Sequence, residues 1–127
     1  MNISSPYLDK DGKFYPVVDI ELFSKKTSLL VKALLDSGAS FSVFRSEIAD
    51  YLDITIEKGK PVYLEGVGGR ILGYLHTLPV SVGKKKFRCK IIFSKEFTVS
   101  FNLLGRDNFF EQFVITFNEK RRETTLS

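Results

Sequence analysis

Cysteine and histidine occur once each in these 127 residues, and both scarcities exclude chemistry. With Cys89 as the only thiol no intramolecular disulfide can form, and with His76 as the only imidazole there is no Cys/His cluster from which to assemble a zinc centre. A Ser or Cys hydrolase also lacks its usual base, since His76 lies in a strand-like segment and Gly38-Ala39-Ser40-Phe41-Ser42 is not a G-x-S-x-G elbow. Long apolar runs are missing too, none approaching the ~18 residues of a membrane span. Met1 to Gly12 is polar, with Pro6 and Gly12, and lacks the basic-then-apolar order of a secretory signal. The expectation is a soluble, cytoplasmic protein with no membrane partner, in which Cys89 packs as a small hydrophobe.

The formal net charge of +4 raises the question of nucleic acid. The basic residues fall in turn-like stretches, Lys84-Lys85-Lys86 after Gly83 and Lys120-Arg121-Arg122 after Asn118, where short charge runs serve solvation. No RNP-like, KH-like or helix-turn-helix pattern accompanies them, so nucleic acid is not the expected partner. A hydrophobic content of 43% over this length supports one core, hence a single domain over 1–127 with 1–14 as an N-terminal extension.

The dominant local signal is β. Val17 to Phe23 and Thr27 to Leu35 read as strands joined by Ser24-Lys25-Lys26, and Phe41 to Phe44, Pro61 to Leu64, Ile71 to Val82 and Lys86 to Phe93 follow. Ser46 to Leu52 places Ile48, Tyr51 and Leu52 on one face behind a capping serine, which predicts a short helix. Asp107 to Phe113, with Phe109, Phe110 and Phe113, predicts a second. Val114 to Phe117 and Thr124 to Leu126 form a closing hairpin. The architecture expected is a small, mostly β, closed or folded-over sheet with one or two short helices.

Three segments carry the functional argument. Asp36-Ser37-Gly38 ends the apolar run Leu29 to Leu35; alone it is an ordinary turn, because Asp and Ser bond nearby backbone and Gly supplies positive φ. Gly66-Val67-Gly68-Gly69 lies between two apolar strand-like segments, as in a hairpin whose bare backbone can approach a ligand. It is not a dinucleotide loop, which would need Gly at Ile71, nor a P-loop, since Tyr74 follows Gly73 where Lys is needed. Asn102-Leu103-Leu104-Gly105-Arg106-Asp107 reads alone as a strand leading into a cap.

In that order, Ala33-Leu34-Leu35-Asp36-Ser37-Gly38-Ala39, the glycine-rich tip and Leu103-Leu104-Gly105-Arg106 resemble the retropepsins, the retroviral-type aspartic proteases, from Val17 to about Phe117. The resemblance implies a closed β-barrel-like subunit, active as a homodimer on peptide or protein substrates, without metal or organic cofactor. It assigns Asp36 as the catalytic carboxylate in an active-site loop with Ser37, Gly38 and Ala39. Ser37 would interlock the two loops across the dimer, and Gly38 would accept substrate backbone. Gly66, Val67, Gly68 and Gly69 would form a flap, Leu34, Phe101 and Leu103 would line side-chain pockets, and Gly105 and Arg106 would brace the site. Ser40 departs from the pattern, standing where retroviral subunits often carry an acidic residue, so Arg106 lacks that partner and Asp107 is a candidate substitute. Glu65 adds a charge beside the flap, and the dimer sheet is expected mainly from Phe113 to Ser127.

The chemistry requires the pair: an attacking water loses a proton to a base while the peptide carbonyl oxygen gains one from an acid, and one carboxylate cannot do both at once. The function expected is therefore an aspartic endopeptidase. The alternative is the same fold kept as a dimerisation or peptide-binding module with little or no proteolysis.

Overall fold

The structure is a computed structural model that describes residues 2–66 and 69–127. It is mostly β. Strands β4 (Val17–Phe23) and β5 (Ser28–Leu35) form an antiparallel hairpin, and their period of two is visible in burial: Val18, Ile20 and Leu22 point into the core while Asp19 faces water. β6 (Val43–Arg45) leads directly into helix α1 (Ser46–Tyr51), followed by a 3-10 turn at Ile56–Lys58. β7 (Lys60–Gly66), β8 (Gly69–Val82) and β9 (Lys85–Ser94) form a meander, and β10 (Asn102–Leu104) follows a loop. The sheet order is β4-β5-β10-β6-β9-β8-β7, and β4 pairs in addition with β8 through Glu21↔Ser81 and Leu22↔Val80.

Around this sheet, residues 2–14 contribute strands of their own. β1 (Ile3–Pro6) pairs with β12 (Glu123–Leu126), which pairs with β11 (Ile115–Asn118), giving a three-stranded sheet in which the C-terminal hairpin is joined by an N-terminal strand. β2 (Leu8–Lys10) and β3 (Lys13–Tyr15) make a small hairpin around Asp11 and Gly12. Tyr7 ties this end down: its amide donates to Arg122 O at 2.8 Å and its hydroxyl to the Glu119 carboxylate. Burial, then that carboxylate, push the Tyr7 hydroxyl up to about 12.

The core is built where the faces of β4, β8 and β9 meet α1: Ile20, Leu22, Val80, Ile91, Phe93 and Leu52 are all essentially inaccessible. Burying each such side chain is worth about 1.5–3 kcal/mol. Cys89 is buried among them, and desolvation followed by the charge of Asp107 raises its thiol to about 12, so it packs as the expected small hydrophobe.

Two sequence expectations change here. α1 begins at Ser46 itself, with Arg45 in the capping position and no side-chain cap, because pairing of Val43–Arg45 with Ile92–Ser94 carries strand geometry up to the helix start. Asp107 to Phe113 is not an α-helix but a 3-10 turn at Phe110–Gln112. Asn108 pins the preceding chain to β9, its Oδ1 accepting from Lys90 N at 2.8 Å and its Nδ2 donating to Arg88 O at 3.0 Å. Phe109 then drops into the core against Phe87 (5.9 Å) and Phe113 (5.2 Å), with Phe110 and Phe113 half-buried beside it, without a full helical turn.

Candidate functional site

β5 has neighbours on both sides, antiparallel β4 and parallel β10, the latter in register Asn102↔Ala33, Leu103↔Leu34 and Leu104↔Leu35. Ala33 and Leu35 point into the core, which fixes the strand end and with it the position of Asp36. The Asp36 amide prolongs the parallel ladder by donating to Leu104 O at 3.0 Å. The chain then turns on itself: Ala39 N donates to Asp36 O at 3.1 Å, and Gly38 N donates to Asp36 Oδ1 at 3.0 Å, an Asx turn. Asp36 is half-buried, Ser37 and Gly38 are exposed, and Asp36 Oδ2 has no hydrogen-bond partner among the described residues.

The far side of the loop is laced to the segment after β10. Arg106 N donates to Ala39 O (3.0 Å), Asp107 N to Ser40 O (2.8 Å), and Gly105 N to the buried Ser42 hydroxyl (3.0 Å). A β-carbon on Gly105 would stand 2.4 Å from Phe41 O, so the two segments approach this closely only because the residue is glycine. The bracing at Arg106 thus comes from its backbone. Its side chain is exposed and in no ion pair among the described residues, and Asp107 turns instead to Lys90, Nζ to Oδ1 3.3 Å. An open depression of about 500 Å³ beside the loop is lined by Ser40, Arg106, Asp107, Phe110 and Glu111.

Leu34 and Leu103, register neighbours on β5 and β10 and both half-buried, stand next to Asp36. Phe101 is drawn to the N-terminal hairpin, its ring 4.8 Å from that of Tyr15 and 4.9 Å from Lys10 Nζ. The β7–β8 hairpin runs out to Gly66↔Gly69, with Gly69 at φ +109°, and Val67 and Gly68 lie outside the described residues. Glu65 is paired in register with Arg70, whose guanidinium lies 4.0 Å over Tyr63.

Three supporting residues escaped the sequence reading. Ser42 accepts from Gly105; buried Asn102 accepts from Arg45 N at 3.0 Å, linking β10 to β6; and Gly73 packs where a β-carbon would stand 2.4 Å from Ile92 Cγ2. Small or polar residues next to a motif were the available signal, but their partners are distant in sequence. His76 serves the fold, its Nε2 2.8 Å from Ile56 O. No group of three or more His, Cys, Asp or Glu able to hold a metal occurs among the described residues, and no helix among them is long and apolar enough to cross a membrane.

Comparison with known protein families matches residues 26–107, more than half the chain, to the family described as aspartyl protease. The chain belongs to the retropepsin-like aspartyl proteases. The match runs from the β4–β5 turn through β10 and includes Asp36, the β7–β8 hairpin and Gly105. In this aspartyl protease family member the three-stranded sheet of β1, β12 and β11 lies entirely outside the match. No curated protein matches the chain.

Proposed function

We propose that the protein is an aspartic endopeptidase, active as a homodimer in which Asp36 of each subunit contributes one carboxylate to a shared site. The observation that carries this reading is Asp36 itself. Its backbone is fixed by Leu104 and its Oδ1 by Gly38, while Oδ2 is left without a partner among the described residues on an exposed loop. A fixed carboxylate with one free oxygen suits proton transfer to or from a bound water. One such group per chain cannot be both base and acid, so a second copy supplies the other. Two carboxylates brought together do not both ionise readily; they share a proton, and the ionised member takes a proton from water while the protonated one gives its proton to the peptide oxygen.

The remaining parts fit this reading. The β4–β8 pairing supports a sheet closed on itself as a barrel. The β7–β8 hairpin acts as the flap, adding main-chain bonds to an extended substrate. Leu34 and Leu103 offer apolar contact beside the carboxylate, and exposed Ser37 would meet its counterpart across the two-fold axis. Dimerisation through the β1-β12-β11 sheet would cover Val114 and Phe117, which are 68% and 37% exposed.

The deciding experiment is hydrolysis of an unfolded protein by wild type and by Asp36→Asn. We expect cleavage by the first and only traces by the second, with unchanged circular dichroism. Equal cleavage by both would remove Asp36 from the chemistry, and tight binding of the substrate by wild type without cleavage would mark a peptide-binding module.

A further inference from the structure

At the end of the sheet away from Asp36 the strands part. β4 pairs with β8 only as far as Leu22↔Val80, and the next pair would set Phe23 against Pro79, which has no N–H to contribute. From the other direction β7 pairs with β8 up to Lys60↔Leu75. The 3-10 turn covers His76 through its bond to Ile56 O, so residues 77–79 of β8 have β9 along one edge and no strand along the other among the described residues. The gap is a groove of about 540 Å³ with Phe23, Leu52, Ile54, Leu78 and Pro79 supplying apolar wall. Val17 pairs with Leu34, close to Asp36, and Phe23 is six residues further along β4, so the groove lies about 20 Å from that end of the strand.

Charge around the groove is one-sided. Lys25, Lys26 and Arg88 line it with Asp53 as the only acidic group. Asp53 is taken by Lys26 at 2.5 Å, Arg88 Nη2 donates to Thr77 O at 3.2 Å, and Lys25 has no ion pair among the described residues. Two cations are thus left without a carboxylate beside an open strand edge.

We infer that this groove is a docking site, separate from the Asp36 site, for an extended peptide segment that alternates acidic with apolar side chains. An open strand edge accepts an added strand through main-chain bonds, and the period of two sends one set of side chains to the apolar wall and the other to the cationic rim. A carboxylate is a stronger partner for guanidinium than a carbonyl is. Arg88 would move to the incoming acid and release Thr77 O to accept a peptide N–H. A fatty acid would satisfy the wall and the cations but leave that edge unmatched. The inference does not depend on proteolysis.

The test uses a fluorescent, end-capped six-residue peptide alternating leucine with glutamate, a second alternating leucine with lysine, and the Asp36→Asn protein so that neither is cut. Anisotropy should show saturable binding of the acidic peptide alone, weakened at least tenfold by Lys25→Glu/Arg88→Glu, and amide resonances of Phe23 and Thr77 should shift while those of residues 36–39 stay. Should the double variant fold poorly, Lys25→Ala alone should weaken binding measurably. Equal binding of the lysine peptide, indifference to the charge changes, or shifts confined to the Asp36 loop would overturn the proposal. So would laurate binding in the groove with the acidic peptide failing to bind.

Discussion

Replacing Gly105 with alanine places a methyl group 2.4 Å from Phe41 O, 2.5 Å from its carbonyl carbon and 2.9 Å from its nitrogen. Ordinary packing separates such atoms by about 3.5 Å, so one backbone segment must retreat by about 1 Å. Backbone cannot rotate away as a side-chain end can, which puts the overpacking cost near the top of the usual range, about 3 kcal/mol. Weakening of Gly105 N to Ser42 Oγ adds up to about 1 kcal/mol more. For a urea dependence of about 1.5 kcal/mol per molar, the unfolding midpoint should fall by about 2–2.7 M. The control is Gly66→Ala, where none of the described residues beyond its chain neighbours lies within 4 Å of the added carbon and φ is not positive; its midpoint should stay put or rise slightly. A domain of ordinary stability survives the Gly105 change, so activity can be read in the folded variant. Because the displaced segment holds Asp36 through Leu104 and Ala39, a shift of about 1 Å should lower turnover about a hundredfold. Midpoints for the two alanine variants within 0.3 M, a rough bound on the measurement, would refute the argument from close approach.

Other outcomes follow from the same structure. Adding an equal amount of exchanging Asp36→Asn chain to a fixed amount of wild type should lower activity to roughly half, because about half the wild-type chains then sit in hybrid pairs; an unchanged rate in excess mutant would exclude a shared site. Activity should fall as pH rises and the shared proton is lost, so a rate climbing steadily from about pH 5 to 9 would contradict the paired-carboxylate mechanism. Iodoacetamide should leave Cys89 unmodified in the folded protein and label it in urea, since burial holds the thiol near 12. Tyr7 bears on alkaline stability: its folded pKa of about 12 exceeds the unfolded value of 10.0, so its contribution is full below about pH 10 and is lost as pH rises toward 12. Tyr7→Phe should flatten that part of the stability curve, measured by urea unfolding.

The strands of the sheet were readable because their residues obey one rule at a time. β4 alternates from Val18 onward and matches the expected Val17 to Phe23, and β5, β8 and β9 differ from expectation by one or two residues at their ends. The N-terminal strands were not readable, since Ile3–Pro6 carries serines and a proline and becomes a strand only because Glu123–Leu126 offers an edge. Asp107 to Phe113 misled because aromatic spacing was read as helical when Asn108 had already committed the chain to β9. At the site, Asp36, Gly105 and the neighbouring leucines stood out through motif order. Ser42 and Asn102 did not, because each is defined by one bond to a backbone far away in the chain.

The parallel insertion of β10 beside β5 also has a kinetic side. Ala33 and Asn102 are about 70 residues apart, and closing a loop of that size has to precede any reward from the contact, which slows folding. The acceptor for the Asp36 amide is Leu104, so until the chain has been synthesised past that residue the loop is held on the β4 side alone. Until Leu104 has been made, Asp36 is an ordinary acid at the end of the β4–β5 hairpin, and the arrangement proposed for catalysis is not yet assembled.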